Sequence, residues 1–309
     1  MRVLVVARYK ERGFAPFVTE QVEALTEAGV VCRFFPVRSR GMAGYLQQVP
    51  ALRHAIREFK PDIVHAHYGL CGLFANLQRR VPVVTTYHGS DINEPGVRRL
   101  SKVAIGLSRF NIFVSRRLLD MVAPVKNSVV IPCGINLDDY PVIEKKEARR
   151  KMGLKEDGKY VLFAGAFDNP VKNALLAKDV LDRVPGVELL ELKGYARPQV
   201  ALLMQAVDAF LMTSISEGSP QVIKEALACG CPIVSVDVGD VRERITGVEG
   251  CIVTKTRRPE ELGVFLHDSI EFKSKTEGRK KLIVDGLDNR QVARQLTDLY
   301  MRSHCHRNE

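Results

Sequence analysis

Residues 213–230 read TSISEGSPQVIKEALACG and carry the most informative pattern in the chain. The small and polar residues that follow an apolar run predict a loop leaving a β-strand, and the residues after them favour a helix. Ser219 is a good helix N-cap, Pro220 suits the first helical position, and Gly230 suits the C-terminal stop. The segment therefore predicts a strand, a loop and a helix in succession, which is the building unit of parallel α/β sheets.

Two carboxylates lie around the predicted helix start. Glu217 comes just before it, and Glu225 lies two turns along the helix. The unpaired N–H groups and the positive dipole of a helix N-terminus suit a diphosphate, and a carboxylate can accept hydrogen bonds from two vicinal sugar hydroxyls. The alternative is that Glu217 only caps the helix electrostatically and that Glu225 is a solvated helix residue. The loop context favours the binding interpretation.

The same alternation of strands and helices runs through both halves of the chain. Strand-like apolar runs occur at 3–7, 30–37, 62–65, 83–87, 112–114 and 129–131, and again at 160–164, 187–192, 209–212 and 232–236. Turn-forming residues at 132–141 separate the halves. We therefore predict an α/β protein with two doubly wound parallel sheets, in domains 1–140 and 141–286. A C-terminal helix and tail, 287–309, could pack back on the first domain.

In doubly wound sheets, ligands bind outside the carboxyl ends of the strands. Two such domains whose loop edges face each other would form a cleft, and the chemistry is expected in the strand-to-helix loops.

On these residues the chain resembles glycosyltransferase family 4, the retaining GT-B enzymes that use nucleotide-diphospho-sugars. Glu217 and Glu225 match the family's two Glu separated by seven residues, and ALACGCPIV at 226–234 is similar to its helix-turn-strand continuation. The likeness spans most of the chain. It implies that Glu217 lies by the donor sugar and that Glu225 hydrogen-bonds the nucleotide ribose. It also implies that the intervening backbone holds phosphate oxygens or sugar hydroxyls, at Gly218, Ser219 and Pro220.

A second motif, FAGAFDNPVKN at 163–173, follows the first strand of the second domain. Family members usually carry an Arg and a Lys here on the diphosphate. Lys172 matches the Lys, whereas Ala166 stands at the Arg position, which bears on donor affinity more than on donor class. A fixed cation would stabilise the negative charge of a departing nucleoside diphosphate. The alternative is an ordinary solvated surface lysine.

In the first domain, YHGSD at 87–91 ends a strand, and the resemblance places a histidine, His88, close to the reacting sugar. A neutral imidazole there could hydrogen-bond a sugar hydroxyl, and the alternative is a structural loop histidine. His65 and His67 form an HxH pair, but we reject a metal site because no third ligand has an obvious spacing. The resemblance implies a metal-independent reaction. We expect no metal and no cofactor besides the nucleotide-sugar co-substrate.

The first loop takes the place of a glycine-rich turn that the family usually carries near donor and acceptor. Only Gly13 of that turn is present. Arg8, Lys10 and Arg12 in this loop would suit an anionic acceptor, or they are simply solvated.

The net charge of +10 and the pI near 9.3 favour a polyanionic partner, whether nucleic acid, acidic lipid or a phosphorylated substrate. Since no zinc finger or aromatic-basic RNA-binding strand is present, we expect no specific nucleic-acid partner. The stretch VRRLSKVAIGL at 97–107 could lie on an anionic membrane, although a core-facing stripe is the preferred interpretation. The seven scattered cysteines are typical of buried thiols. Without a long apolar run, we expect a cytoplasmic protein, peripheral on the inner membrane face if its acceptor lies there.

These features predict transfer of a hexosyl group from a nucleotide-diphospho-sugar to an acceptor hydroxyl on a lipid, glycan or other molecule, as in polysaccharide or glycolipid biosynthesis. Retention of configuration is implied by the resemblance. Two alternatives stay open: a sugar-nucleotide epimerase on the same fold, and a catalytically silent sugar-nucleotide-binding scaffold subunit. Ala166 and the reduced glycine loop favour the second alternative.

Overall fold

The computed structural model describes residues 1–11, 13–38 and 41–305, so Arg12 of the first loop lies outside it. The chain divides into two compact units. The first unit is Met1–Gly134 together with the segment from Leu287 onward, and the second is Ile135–Gly286. The first segment of the first unit thus ends at Gly134, six residues before the predicted boundary at residue 140, and most of the turn-rich stretch after Gly134 belongs to the second unit.

The first unit is built around a six-stranded parallel sheet. Its strands are β1 (Arg2–Arg8), β2 (Val31–Val37), β3 (Ile63–His67), β4 (Val83–Tyr87), β5 (Phe110–Phe113) and β6 (Ser128–Val130). Its helices are α1 (Pro16–Glu27), α2 (Gly41–Gln47), α3 (Val49–Phe59), α4 (Gly69–Asn76), α5 (Ser90–Asn93), α6 (Pro95–Leu107) and α7 (Arg116–Asp120). The spatial order is β2-β1-β3-β4-β5-β6, so the direction of winding reverses between β1 and β3.

The second unit repeats this plan with five parallel strands. Its strands are β7 (Lys159–Phe163), β8 (Val187–Glu191), β9 (Ala209–Met212), β10 (Ile233–Val236) and β11 (Cys251–Thr254). Its helices are α8 (Lys145–Met152), α9 (Ala174–Leu181), α10 (Arg197–Ala206), α11 (Gln221–Ala228), α12 (Val241–Ile245), α13 (Pro259–Glu271) and α14 (Gly278–Val284), with short 3-10 helices at Leu137–Asp139 and Pro170–Lys172. The order β11-β10-β9-β7-β8 reverses between β7 and β9. The predicted pair of doubly wound parallel sheets is confirmed.

The last helix, α15 (Asn289–Cys305), belongs to the core of the first unit. Leu296 and Tyr300 of α15 are buried in one apolar cluster with Val18 and Leu25 of α1. The apolar face of α15 therefore completes the core on one side of the first sheet. No helix within the described ranges is both long enough and apolar enough to cross a membrane.

Candidate functional site

The carboxyl ends of β7 and β9 bring together two of the side chains predicted to contact the donor. Lys172 ends the 3-10 helix after β7, and Glu217 lies in the loop after β9. The Lys172 Nζ donates to Glu217 Oε1 at 2.7 Å. The two side chains are only 18% and 16% exposed. This ion pair lies where the strand order of the second sheet reverses, which is where doubly wound sheets bind ligands.

The loop after β7 is fixed against the end of β9. The Thr213 hydroxyl donates to the carbonyl of Lys172 at 3.0 Å, and the Ile215 amide donates to the carbonyl of Val171 at 2.8 Å. A Cβ on Gly165 would lie 2.8 Å from Cγ of Lys172. The absence of a side chain at Gly165 therefore leaves the space through which the lysine stem passes.

The loop at 217–220 is held differently from the sequence expectation. Helix α11 begins at Gln221 with Pro220 as its N-cap residue, and the expected N-cap role of Ser219 is wrong. The Ser219 hydroxyl donates instead to Asp240 Oδ2 at 2.8 Å, since Asp240 lies in the neighbouring loop after β10. Because proline has no N–H, the amide donors at this turn belong to Gly218, Ser219 and the first turn of α11.

Asp240 holds this loop by accepting the Ser219 hydroxyl, a role that sequence reasoning missed. Its side chain is buried, and burial raises its pKa above the ordinary value. It also pairs with Arg244 at 3.3 Å. A Cβ on Gly239 would lie 2.6 Å from the carbonyl oxygen of Gly218, so the two loops touch through backbone. Glu225 is half-buried and lies on α11 itself, in the middle of the helix that begins after this turn.

A second cationic side chain, Arg257, contacts the end of β9, and the sequence analysis did not identify it. The guanidinium of Arg257 donates to the carbonyls of Thr213 and Ser214 at 3.2 and 2.8 Å. Arg257 follows β11, a strand that was not predicted, so its position could not be derived. Ala166, at the place where an arginine was expected, lies half-buried in the loop after β7.

His88 lies in the first unit, directly after β4. Its Nε2 lies 3.0 Å from Nδ1 of His67, and its Nδ1 lies 3.7 Å from Sγ of Cys133. The rings of Phe17 and Tyr68 pack against it with centroid distances of 4.7 Å each. The half-buried imidazole is therefore held in one orientation by polar and aromatic contacts.

The HxH pair belongs to the interior of the first unit. Nδ1 of His65 lies 2.6 Å from the Tyr300 hydroxyl on α15, and its Nε2 lies 2.7 Å from the Thr86 hydroxyl. Burial lowers the pKa of His67 to about 3 and that of His65 well below the ordinary value, so both rings are neutral near pH 7. Within the part of the chain that the structure describes, no group of three or more His, Cys, Asp or Glu is placed to hold a metal ion.

Asp91 anchors the loop that carries His88, and sequence reasoning missed it. Its carboxylate accepts hydrogen bonds from the backbone amides of Gly89, His88 and Gly69 at 2.9, 3.0 and 3.1 Å. The side chain is buried, and burial raises its pKa to about 6 against the opposing effect of these amides. The signal in the sequence that could have identified Asp91 is its position three residues after His88, the histidine that follows a predicted strand.

Asp91 gives the first unit a pH-dependent stability. The pKa of Asp91 in the folded protein lies above its ordinary value of 3.8. Its contribution to the free energy of unfolding is therefore fully present below about pH 4 and is lost as the pH rises through about 6. We expect the melting temperature of wild type, relative to that of Asp91→Asn, to fall across this window. Thermal melts of both proteins at matched pH values measure the difference. Parallel pH profiles for the two proteins would contradict this assignment.

A cavity of about 500 Å³ opens at the carboxyl ends of β1, β3 and β4. Arg8, Lys10 and the aromatic rings of Tyr45 and Tyr68 line it. Gly13 also lines it, with a φ of +99° and reciprocal backbone hydrogen bonds to Lys10. This positive φ favours glycine, which accounts for the one glycine kept in the first loop.

Comparison with protein families places both halves of the chain among glycosyltransferases. Residues 2–139 match the family described as Glycosyltransferase Family 4. Residues 155–264 match the family described as Glycosyl transferases group 1.

Two curated relatives illustrate the level of similarity. TuaC of Bacillus subtilis, described as a teichuronic acid biosynthesis glycosyltransferase, is 28% identical over 226 residues, covering 60% of this chain and 55% of the relative. A D-inositol 3-phosphate glycosyltransferase of Thermobispora bispora is 26% identical over 255 residues, covering 62% and 58%. The matches thus span little more than half the length of these relatives.

Solved structures share the fold over nearly the whole chain. A sucrose-phosphate synthase from Thermosynechococcus elongatus superposes with a TM-score of 0.82 at 15% identity, covering 98% of each chain. Anabaena HepE in complex with UDP gives a TM-score of 0.77 at 17% identity, covering 96% of this chain and 99% of HepE. The fold is therefore that of the two-domain GT-B class, as predicted. Within this class, the chain is a glycosyltransferase family 4-like protein.

Proposed function

We propose that the protein transfers a hexosyl group from a nucleotide-diphospho-sugar to an acceptor hydroxyl, with retention of the anomeric configuration and without a metal ion. The observation that carries the proposal is the Lys172–Glu217 ion pair at the β7/β9 reversal of the second sheet. It combines a shielded cation, a carboxylate and the N-terminal turn of α11 in one place. These are the groups that a sugar diphosphate requires.

Donor binding would exchange the partners of this ion pair. The ammonium of Lys172 would pair with the incoming diphosphate, and Glu217 would then accept hydrogen bonds from the sugar hydroxyls. Glu225, further along α11, is assigned to the ribose hydroxyls. Anabaena HepE, a protein of the same fold, has been solved with UDP and with UDP-glucose, which supports a nucleotide-sugar donor.

The transfer step breaks the bond between the anomeric carbon and the diphosphate oxygen, and it forms a bond from the acceptor oxygen to the same face of the sugar. The departing phosphate oxygen takes the acceptor's proton. Lys172 stabilises the charge that develops on the diphosphate. The ion pair of Glu217 with Lys172 is consistent with a positioning role for this carboxylate rather than with a nucleophilic one. His88 is assigned to a sugar hydroxyl.

The acceptor is proposed to carry a negative charge. Arg8 and Lys10 line the cavity at the carboxyl edge of the first sheet, whose size of about 500 Å³ suits a small polar molecule or a headgroup. The relatives named D-inositol 3-phosphate glycosyltransferases are consistent with a phosphorylated acceptor.

A catalytically silent binding subunit is the second candidate, because Ala166 occupies the place of an expected cation. Such a protein would bind a nucleotide-sugar without turning it over. The exposed Arg257, whose guanidinium reaches the end of β9, weakens this candidate since it supplies a second positive charge to the same edge of the sheet.

Donor binding is tested by thermal stabilisation with a panel of UDP-, GDP-, ADP- and TDP-sugars. A ligand that binds only the folded state stabilises it by about 2.7 kcal/mol at a hundredfold excess over Kd. We expect one nucleotide to stabilise wild type, and Glu225→Ala to lose most of that shift. Glu249→Ala, an exposed glutamate of the same unit, is the matched control and should keep it. No shift with any nucleotide in wild type would contradict the proposal.

A further inference from the structure

What His88 can offer to a sugar hydroxyl depends on which of its two ring nitrogens carries the proton. A neutral imidazole has one N–H that donates and one bare nitrogen that accepts. The proton's position is set by the hydrogen bond that the other nitrogen makes. The neighbours of His88 on the first sheet therefore determine its role.

Three histidines lie on one face of the first sheet. His67 pairs with Thr86 in the register of β3 and β4, and residues two positions apart on a strand point to the same side. His65 precedes His67 by two positions, and His88 follows Thr86 by two. The rings form a stacked row, with centroid distances of 4.5 Å between His65 and His67 and 5.2 Å between His67 and His88.

His67 is the member of this row that contacts His88 through a ring nitrogen. It is fully buried, and its Nδ1 lies 3.0 Å from Nε2 of His88. Its other nitrogen, Nε2, is buried too and has no hydrogen-bond partner within the described ranges. Because burial lowers the pKa of His67 to about 3, the ring carries a single proton near pH 7. That proton lies on one of two nitrogens with different surroundings.

These surroundings favour a proton on Nδ1 of His67. A proton on Nε2 would leave a buried N–H without an acceptor, and such groups are rare in protein interiors. A proton on Nδ1 is donated to His88 and leaves only a bare nitrogen unpaired. Nε2 of His88 then accepts, so the proton of a neutral His88 lies on its Nδ1. A doubly protonated His88 would donate from Nε2 and force the His67 proton onto the unpartnered nitrogen.

We propose that His67 is a positioning residue that fixes His88 as the Nδ1–H tautomer, so that His88 donates a hydrogen bond to a hydroxyl oxygen of the donor sugar. The contact with the sugar rests on the proposed function, whereas the tautomer does not. Nδ1 of His88 lies 3.7 Å from Sγ of Cys133, and sulfur is a weak acceptor that a hydroxyl oxygen can replace. With Nε2 held by His67, His88 has no bare nitrogen left to deprotonate the acceptor.

The tautomers are measured by long-range ¹H–¹⁵N correlation spectra of the full chain, labelled with ¹⁵N at its histidines, near pH 7 and without substrate. Loss of signals in His88→Gln identifies those of His88. We expect wild-type His88 to show a protonated Nδ1 and a bare Nε2, whereas free histidine prefers the proton on Nε2. His67→Phe keeps a ring but cannot donate, so it should return His88 to the Nε2–H form. His67→Asn, whose amide nitrogen can take the place of Nδ1, should keep the Nδ1–H form.

Cys133→Ala is the matched control, because it removes the contact of the other nitrogen of His88. We expect this variant to keep the wild-type tautomer. A proton on Nε2 of His88 in wild type would overturn the proposal, and so would an unchanged tautomer in folded His67→Phe. If His67→Phe does not fold, the spectra of wild type and Cys133→Ala still decide the question.

The consequence for transfer is measured with the donor that stabilises wild type. His67→Phe should lower kcat/KM by about five- to tenfold, the usual effect of one neutral hydrogen bond, and His67→Asn should restore most of it. An altered tautomer with unchanged kcat/KM would overturn the contact between His88 and the sugar. Absence of turnover in wild type would contradict the proposed function together with that contact, whereas the tautomer stands or falls by the spectra alone.

Discussion

Lys172→Ala is expected to lower kcat for glycosyl transfer by about 10²- to 10³-fold, the usual effect of removing one fixed charge or donor from a developing anion. The Lys172 side chain is only 18% exposed and its Nζ lies 2.7 Å from Glu217 Oε1, so solvent screens the charge weakly. Its loss removes the cation that we assign to the departing diphosphate. Steady-state release of nucleoside diphosphate with the identified donor measures the effect.

Lys193→Ala is the matched control for this prediction. Lys193 also forms an ion pair, with Asp168 at 2.6 Å, but both side chains are more than half exposed. We expect its kcat to stay within a few-fold of wild type, because exposed ion pairs contribute little. Equal losses in the two variants, or full activity in Lys172→Ala, would remove Lys172 from the proposed mechanism.

Asp208→Ala is expected to destabilise the second unit by about 3–5 kcal/mol, because it leaves a buried guanidinium without its carboxylate partner. Arg149 of α8 is 5% exposed and donates twice to Asp208, at 3.0 and 2.8 Å. Asp208 also accepts the amide of Tyr160 at 2.8 Å, which ties α8 to the start of β7. Denaturant unfolding monitored in the second unit gives the change in free energy.

Glu271→Ala serves as the control, since its ion pair with Lys159 is exposed, with side-chain exposures of 41% and 49%. We expect no resolvable loss of stability there, because exposed ion pairs contribute little. If Asp208→Ala cost no more than Glu271→Ala, the buried pair would not be a principal anchor of the second unit.

Most of the strands could be predicted from the sequence because each is a short, nearly continuous apolar run. The run predicted at 209–212 coincides with β9, since parallel strands buried on both faces need apolar side chains at every position. The strands placed Lys172 and Glu217 at the same edge of the sheet, whereas their assignment to the donor came from the family resemblance. Once the strands are known, the loops at their carboxyl ends are known too.

The features that were missed depend on contacts between distant parts of the chain. Serine is a residue type that often caps helix N-termini, but the Ser219 hydroxyl donates to Asp240, which the fold brings close to it. The partnership of Tyr300 with His65 joins the last helix to the third strand. Strand β11 is four residues long and only half-buried, so its pattern is too weak to distinguish from a loop. Arg257, which follows it, was missed with it.

The central claim is tested most directly by following the donor that stabilises the protein, labelled with ¹³C at its anomeric carbon, by NMR in the presence of phosphorylated and unphosphorylated polyol and lipid acceptors. The account predicts a new glycosidic signal with the donor's anomeric configuration, formed from an anionic acceptor and absent in Lys172→Ala. Inversion of configuration would contradict the retaining mechanism. A donor that binds but forms no glycosidic bond with any acceptor would contradict the proposed transfer and favour the silent binding subunit.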